Sequence, residues 1–181
     1  MTDKEIVAVF TQCFWRSHAT VLVGGAAEPL YQPAIGHEPH RLFYREDYAA
    51  SALHEVAHWC VAGAARRKQV DYGYTYSPPP RTEAAQMAFF AAELKVQSLE
   101  QIFCAAAGLT FVPSADQLGV DLTKFRQQLT DQKPRMRHWM RNSQDQRARQ
   151  FRRGLRLARQ QGCSGPVQQS DRHTPRRPAV G

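Results

Sequence analysis

Within Leu53-His54-Glu55-Val56-Ala57-His58-Trp59, two histidines stand four residues apart. On a helix that spacing puts both side chains on one face, with Cβ atoms ~5–6 Å apart, so both imidazoles can bind one metal ion from the same side. Glu55, between them, points about 100° away around the helix axis, beside such a metal rather than on it.

Two histidines leave a metal site incomplete. The candidate third ligands are His37, His40, Asp71, Glu83, Glu93 and Glu100. Glu93 is the best of them. It lies in Phe89-Phe90-Ala91-Ala92-Glu93-Leu94, where an acid needs a cation or hydrogen-bond partner to justify its burial. On that reading Glu93→Ala weakens metal binding, whereas Glu83→Ala and Glu100→Ala do not. A site of His54, His58 and Glu93 keeps open positions and has two chemical uses. With zinc it activates water for hydrolysis, Glu55 acting as general base, as in a metallopeptidase. With iron(II) it is the donor set of non-haem oxygenases that use dioxygen. Spacing alone does not choose between them.

These residues need helices to hold them. Residues 49–67 carry an apolar stripe of Leu53, Val56, Ala57, Cys60, Val61 and Ala64, which predicts one helix ending in Arg66, Arg67 and Lys68. Residues 83–107 are helical in pattern, with an interruption expected near Glu93 and a cap at Gly108. Residues 4–15 read as a helix through Ile6, Val7, Phe10, Cys13 and Phe14. Short strands are expected at 20–23, ending at Gly24-Gly25, and at 41–44, with an irregular stretch between. Residues 121–140 read as helix broken at Pro134, and 147–160 as a basic helix with Phe151, Leu155 and Ala158 inward. The reading is α+β, mainly helical with a small sheet: one domain over residues 1–160, then a disordered basic tail over 161–181 rich in Pro, Gly, Gln and Arg.

Composition narrows the class. The chain has 181 residues, 43% hydrophobic and 22% charged, as an ordinary soluble domain does. No apolar run approaches the ~18 residues of a membrane span. The first residues lack the basic start of a secretory signal, so a cytoplasmic protein is expected. Cys13, Cys60, Cys104 and Cys163 are scattered without a paired spacing, which predicts reduced thiols. Charge is uneven. Residues 1–132 hold 11 Lys and Arg against 14 Asp and Glu, whereas residues 133–181 hold 13 against 2. That asymmetry suits an acidic protein partner or, less well, a nucleic acid.

The stretch from Tyr48 to Cys60, with Ala62-Gly63, Ala65-Arg66-Arg67 and Val70-Asp71-Tyr72-Gly73-Tyr74, resembles the bacterial elongation factor P hydroxylase family. So do Glu93-Leu94-Lys95, Gln97 and Phe103-Cys104-Ala105-Ala106-Ala107-Gly108. The likeness runs from about Ile6 to about Ala158 and is weakest over 112–145. It implies a metal- and dioxygen-dependent monooxygenase that acts last in the maturation of elongation factor P, hydroxylating the lysine that carries a β-lysyl group. It also implies a zincin-like metal helix with a small sheet, with His54, His58 and Glu93 as ligands of one divalent ion, iron(II) rather than zinc. Glu55 becomes a proton-handling or supporting residue.

Asp71, Tyr72, Tyr74 and Tyr76 could then hold the ammonium groups of such a substrate, unless the tyrosines belong to a core strand. Arg81, after three prolines, could close the mouth of the site or be solvated. Arg147, Arg149, Arg152 and Arg153 would steer an acidic carrier protein.

Overall fold

A computed structural model of the chain describes residues 1–46, 48–73, 82–114 and 122–162. Helix α1 (Asp3–His18) opens with a capping box between Thr2 and Glu5 and buries Ile6, Val9, Phe10 and Phe14. Three strands follow: β1 (Thr20–Ala26), β2 (Leu30–Gln32) and β3 (His40–Arg45). The sheet order is β1-β3-β2, with β1 parallel and β2 antiparallel to β3. Gly24-Gly25 does not end the first strand as expected. The pair forms a bulge between Val23 and Ala26, Gly25 adopting φ 79°, and pairing resumes at Ala26–Arg45. The expected irregular stretch contains β2, whose Tyr31 is buried.

Helices α2 (Ala49–Val61), α3 (Glu83–Ala107), α4 (Leu122–Asn142) and α5 (Arg147–Gly162) complete the fold. An α+β architecture, mainly helical with a small sheet, is what the sequence predicts. Three boundaries differ. Helix α2 stops at Val61 rather than Arg67 because its end is capped by side chains from elsewhere. Arg147 donates Nη1 to the Trp59 carbonyl at 2.6 Å and Nη2 to the Ala62 carbonyl at 2.8 Å, and Arg67 also donates to Ala62. Helix α3 runs unbroken through Glu93, whose burial is met by side-chain partners instead of a backbone break. Helix α4 runs through Pro134; both Pro134 and Thr130, whose carbonyl loses its partner there, face solvent. Helix α5 extends to Gly162, and residues 163–181, including Cys163, lie outside the described residues.

The core lies where α1, α2, α3 and α5 meet. Trp59 packs on Phe14 and Phe10 at centroid distances of 4.8 and 5.3 Å, and Phe103 on Phe151 at 5.0 Å. Helix α5 approaches α1 closely at Gly154, where an added Cβ would stand 2.9 Å from Val9 Cγ1. Cys60 and Cys104 are buried free thiols, as expected, and Cys13 is half-buried. Phe125 and Leu129 of α4 form a second cluster with Phe89, Phe90 and Leu94 of α3. Among the described residues no helix is long and apolar enough to cross a membrane.

Arg147 corrects an expectation. It is not a surface steering charge but is 2% exposed. Its guanidinium lies 4.3 Å over the Trp59 ring and pairs with Asp145 at 2.7 Å while capping α2. Arg147→Met takes the side-chain donor from the Trp59 and Cys60 carbonyls and leaves Asp145 with Arg67 as its one cation, so thermal unfolding followed by circular dichroism should show a loss of about 2–4 kcal/mol. Arg147→Lys should restore little of it, since an ammonium cannot reproduce the planar fork.

Candidate metal centre

Helix α2 presents His54 and His58 toward α3, and α3 answers with Glu93, Gln97 and Glu100 at spacings of four and three. The His58 Nε2 lies 3.1 Å from the His54 Nε2 and 3.2 Å from Glu93 Oε1, and the His54 Nε2 is 3.8 Å from Glu93 Oε2. One donor atom from each of His54, His58 and Glu93 lies within 4.8 Å of the others, and this is the group among the described residues that could hold a metal ion. Such separations allow one ion to sit ~2.1 Å from each donor. Two imidazoles and a carboxylate with the rest of the sphere open suit zinc or iron(II).

The supporting contacts are specific. The other ring nitrogen of His54, Nδ1, is 2.8 Å from Glu100 Oε2. A proton donated from Nδ1 to that carboxylate leaves Nε2 facing Glu93 and free to ligate. Gln97, 1% exposed, donates Nε2 to Glu93 Oε2 at 3.2 Å and to the Ser114 carbonyl at 2.8 Å, and accepts from the Ser114 N–H at 3.0 Å. The Glu93 carboxylate is thereby held in orientation from behind.

These charges perturb one another strongly. Burial alone would lower the His54 pKa, but the hydrogen bond and charge of Glu100, with the charges of Glu55 and Glu93, lift it to about 10. Burial would raise Glu93, yet the His58 hydrogen bond and charge, the His54 charge and the Gln97 hydrogen bond bring it down to about 2. Glu55 is 8% exposed and outside the ligand group. Burial raises its pKa, opposed by the charges of His58 and His54 and reinforced by those of Glu93 and Asp71.

The other candidates have different places. Glu83 is exposed at the start of α3, and His37 is exposed. The His40 Nδ1 accepts from the Ala34 N–H at 2.9 Å. Glu100 stands outside the candidate ligand group, with its Oε2 on the His54 Nδ1. Asp71 Oδ1 accepts from the Tyr31 N–H at 2.8 Å, and Tyr72 stacks on the Tyr31 ring at 4.6 Å. Val70–Gly73 forms a tight turn rather than a strand, with Asp71, Tyr72 and Gly73 at φ of 46°, 60° and 71°. A tyrosine there carries strain of roughly 1–2 kcal/mol. Its hydroxyl is buried without a hydrogen-bond partner among the described residues. Tyr74, Tyr76 and Arg81 lie outside the described residues. The sequence reading missed the buried place of Arg147 and the contact of Glu100 with His54; the latter was visible in the spacing of Glu93, Gln97 and Glu100 along one face of α3.

Residues 9–165 match the family described as elongation factor P hydroxylase. The chain belongs to that family. A relative from Haemophilus influenzae, named elongation factor P lysine hydroxylase, is 42% identical over 133 residues, covering 71% of this chain and 75% of the relative. The matched span includes every residue of the candidate metal centre and its supports, as well as Arg147.

Two outcomes follow for the isolated protein. Metal binding must expel the raised His54 proton, so affinity in chelator competition should climb with pH by up to about tenfold per unit between about pH 7 and about pH 9. In metal-free protein Glu93 contributes stability above pH 4.5 that is lost as pH falls toward 2, and His54 contributes stability below pH 6.5 that is lost as pH rises through 10. These two groups therefore stabilise the apoprotein most between pH 4.5 and 6.5, which urea titrations across pH check. Separately, Glu100→Gln should weaken metal binding about 10–100-fold without unfolding the chain.

Proposed function

We propose that the chain is a metal-dependent monooxygenase that hydroxylates the β-lysyl-modified lysine of elongation factor P, a late step in maturing that translation factor in the cytoplasm. The single observation that carries this reading is the coincidence of the family match with a two-histidine, one-carboxylate group inside the matched span. The lysine hydroxylase name of the Haemophilus influenzae relative supports the substrate. The peptidase alternative gains no support from either.

On this reading His54, His58 and Glu93 hold iron(II), which when bound supplies a centre for activating dioxygen toward a C–H bond. Glu100 fixes the His54 tautomer, and Gln97 keeps the Glu93 carboxylate aimed at the two imidazoles. Glu55, its pKa raised by burial, stands beside the site as a proton-handling or supporting group. The turn at Asp71 and Tyr72, with Tyr74, Tyr76 and Arg81 beyond it, is the proposed substrate-facing segment. Residues 1–160 act as one domain. The exposed guanidinium groups of Arg152, Arg153 and Arg156, beside the half-buried Arg149, present a positive face for an acidic carrier protein.

Mass spectrometry of elongation factor P from cells with and without this protein tests the reading. The modified lysine should carry one additional oxygen atom only when the protein is present, and His58→Ala should abolish the gain while remaining folded. Glu55→Gln should reduce the gain without erasing it, since C–H hydroxylation needs no hydrolytic base. Casein cleavage by the wild type, lost in Glu55→Gln, would replace this reading with the peptidase one.

A further inference from the structure

A cavity of about 350 Å³ opens between the C-terminal end of α2 and the middle of α3. His58 belongs both to the candidate metal group and to the wall of this cavity. The charged groups among its described lining residues are Arg66 and Lys95, both cations, and the rest of that wall is small and apolar, including Ala62, Gly63 and Ala92. Lys95 is half-buried and its Nζ is held 5.2 Å from the centre of the Trp139 ring on α4. No carboxylate among the described residues forms an ion pair with it.

A half-buried cation held over a ring at the wall of a cavity, with no carboxylate of the described residues paired to it, favours a negatively charged occupant nearby. The β-lysyl-lysine chain cannot be that occupant, because its ammonium groups would meet like charges. The reaction leaves a place for an anion. Inserting one oxygen atom of dioxygen into a C–H bond supplies only half of the electrons that dioxygen needs, so a donor of the other electron pair must reach the same centre.

We propose that this cavity binds a small carboxylate, a 2-oxo acid, as the co-reductant, with Lys95 and Arg66 holding the carboxylate. The inference rests on the hydroxylase reading and extends it. The balance closes: the bond between the carboxylate and keto carbons breaks, carbon dioxide leaves, and the keto carbon takes the second oxygen atom to become a carboxylate. The 2-oxo acid is oxidised by two electrons, the C–H bond by two, and dioxygen is reduced by four. The cavity volume suits a ligand of this size.

Calorimetric titration of the full chain with 2-oxoglutarate, before and after removal of metal by chelation, tests the site apart from turnover. Saturable binding should persist after chelation, weaken about tenfold in Lys95→Gln and recover in Lys95→Arg. Arg66→Gln should weaken it less, and 1,5-diaminopentane should not displace the acid. Circular dichroism identical to wild type shows that the variants fold. Absence of binding, affinity unchanged in Lys95→Gln, or displacement by the diamine would overturn the proposal. In turnover, one carbon dioxide should be released per oxygen gained on elongation factor P. Full hydroxylation without any 2-oxo acid would overturn the co-reductant role and leave the hydroxylase reading standing, whereas absence of hydroxylation under every condition would count against that reading itself.

Discussion

The structure turns on burying two carboxylates of α3 against two half-buried imidazoles of α2. An unpaired carboxylate in that position costs several kcal/mol, and so does an unpaired imidazolium. Glu93 is held by His58 and Gln97, and Glu100 by His54, so each of these two acids has a basic partner on the facing helix. The two helices must therefore keep register to within a fraction of a turn. Much of the remaining architecture serves that register. Arg147 ties the end of α2 to α5, the Phe10, Phe14 and Trp59 cluster seats α2 on α1, and Phe125 and Leu129 brace α3 from the α4 side.

Without metal, the same pairing makes the centre an ion-pair cluster, with His54 favouring its charged form and Glu93 its anionic form. Metal then replaces protons instead of filling an apolar void, and the ligand atoms already face one another before it arrives. The neighbouring turn follows a different logic. Tyr72 holds a left-handed backbone, a stacked ring and an unpartnered hydroxyl together, anchored by the Asp71 bond to Tyr31. Strain of this kind persists only where surrounding contacts over-determine it, and it collects at functional sites.

The helix and the three side chains of the candidate metal group were legible because two strong signals coincided. His54 and His58 stand at helical spacing beside an apolar stripe, and Glu93 is an acid in an apolar run. The Gly108 cap, with φ 75°, and the inward Phe151 and Leu155 followed from equally local rules. The features that escaped are non-local. The apolar stripe runs on past Ala62, and one of the groups that cap α2 there comes from Arg147, 85 residues downstream. Arg147 looked like one more cation of a basic helix; only the position of Trp59 and of the α2 carbonyls makes it a core residue. Gly24-Gly25 and Pro134 are local breakers overridden by context, a bulge in one case and solvent-facing backbone in the other. Glu100 was readable as an acid in a buried stripe, yet its choice of the second nitrogen of His54 depends on how far apart the two helices pack.

X-ray absorption at the edge of the metal carried by the purified protein tests the central claim most directly. The account predicts an ion bound by nitrogen and oxygen donors at about 2.0–2.2 Å, with the imidazole scattering of two histidines, reduced to that of one in His58→Ala. Sulfur in the coordination sphere, or a spectrum unchanged by loss of His58, would contradict it.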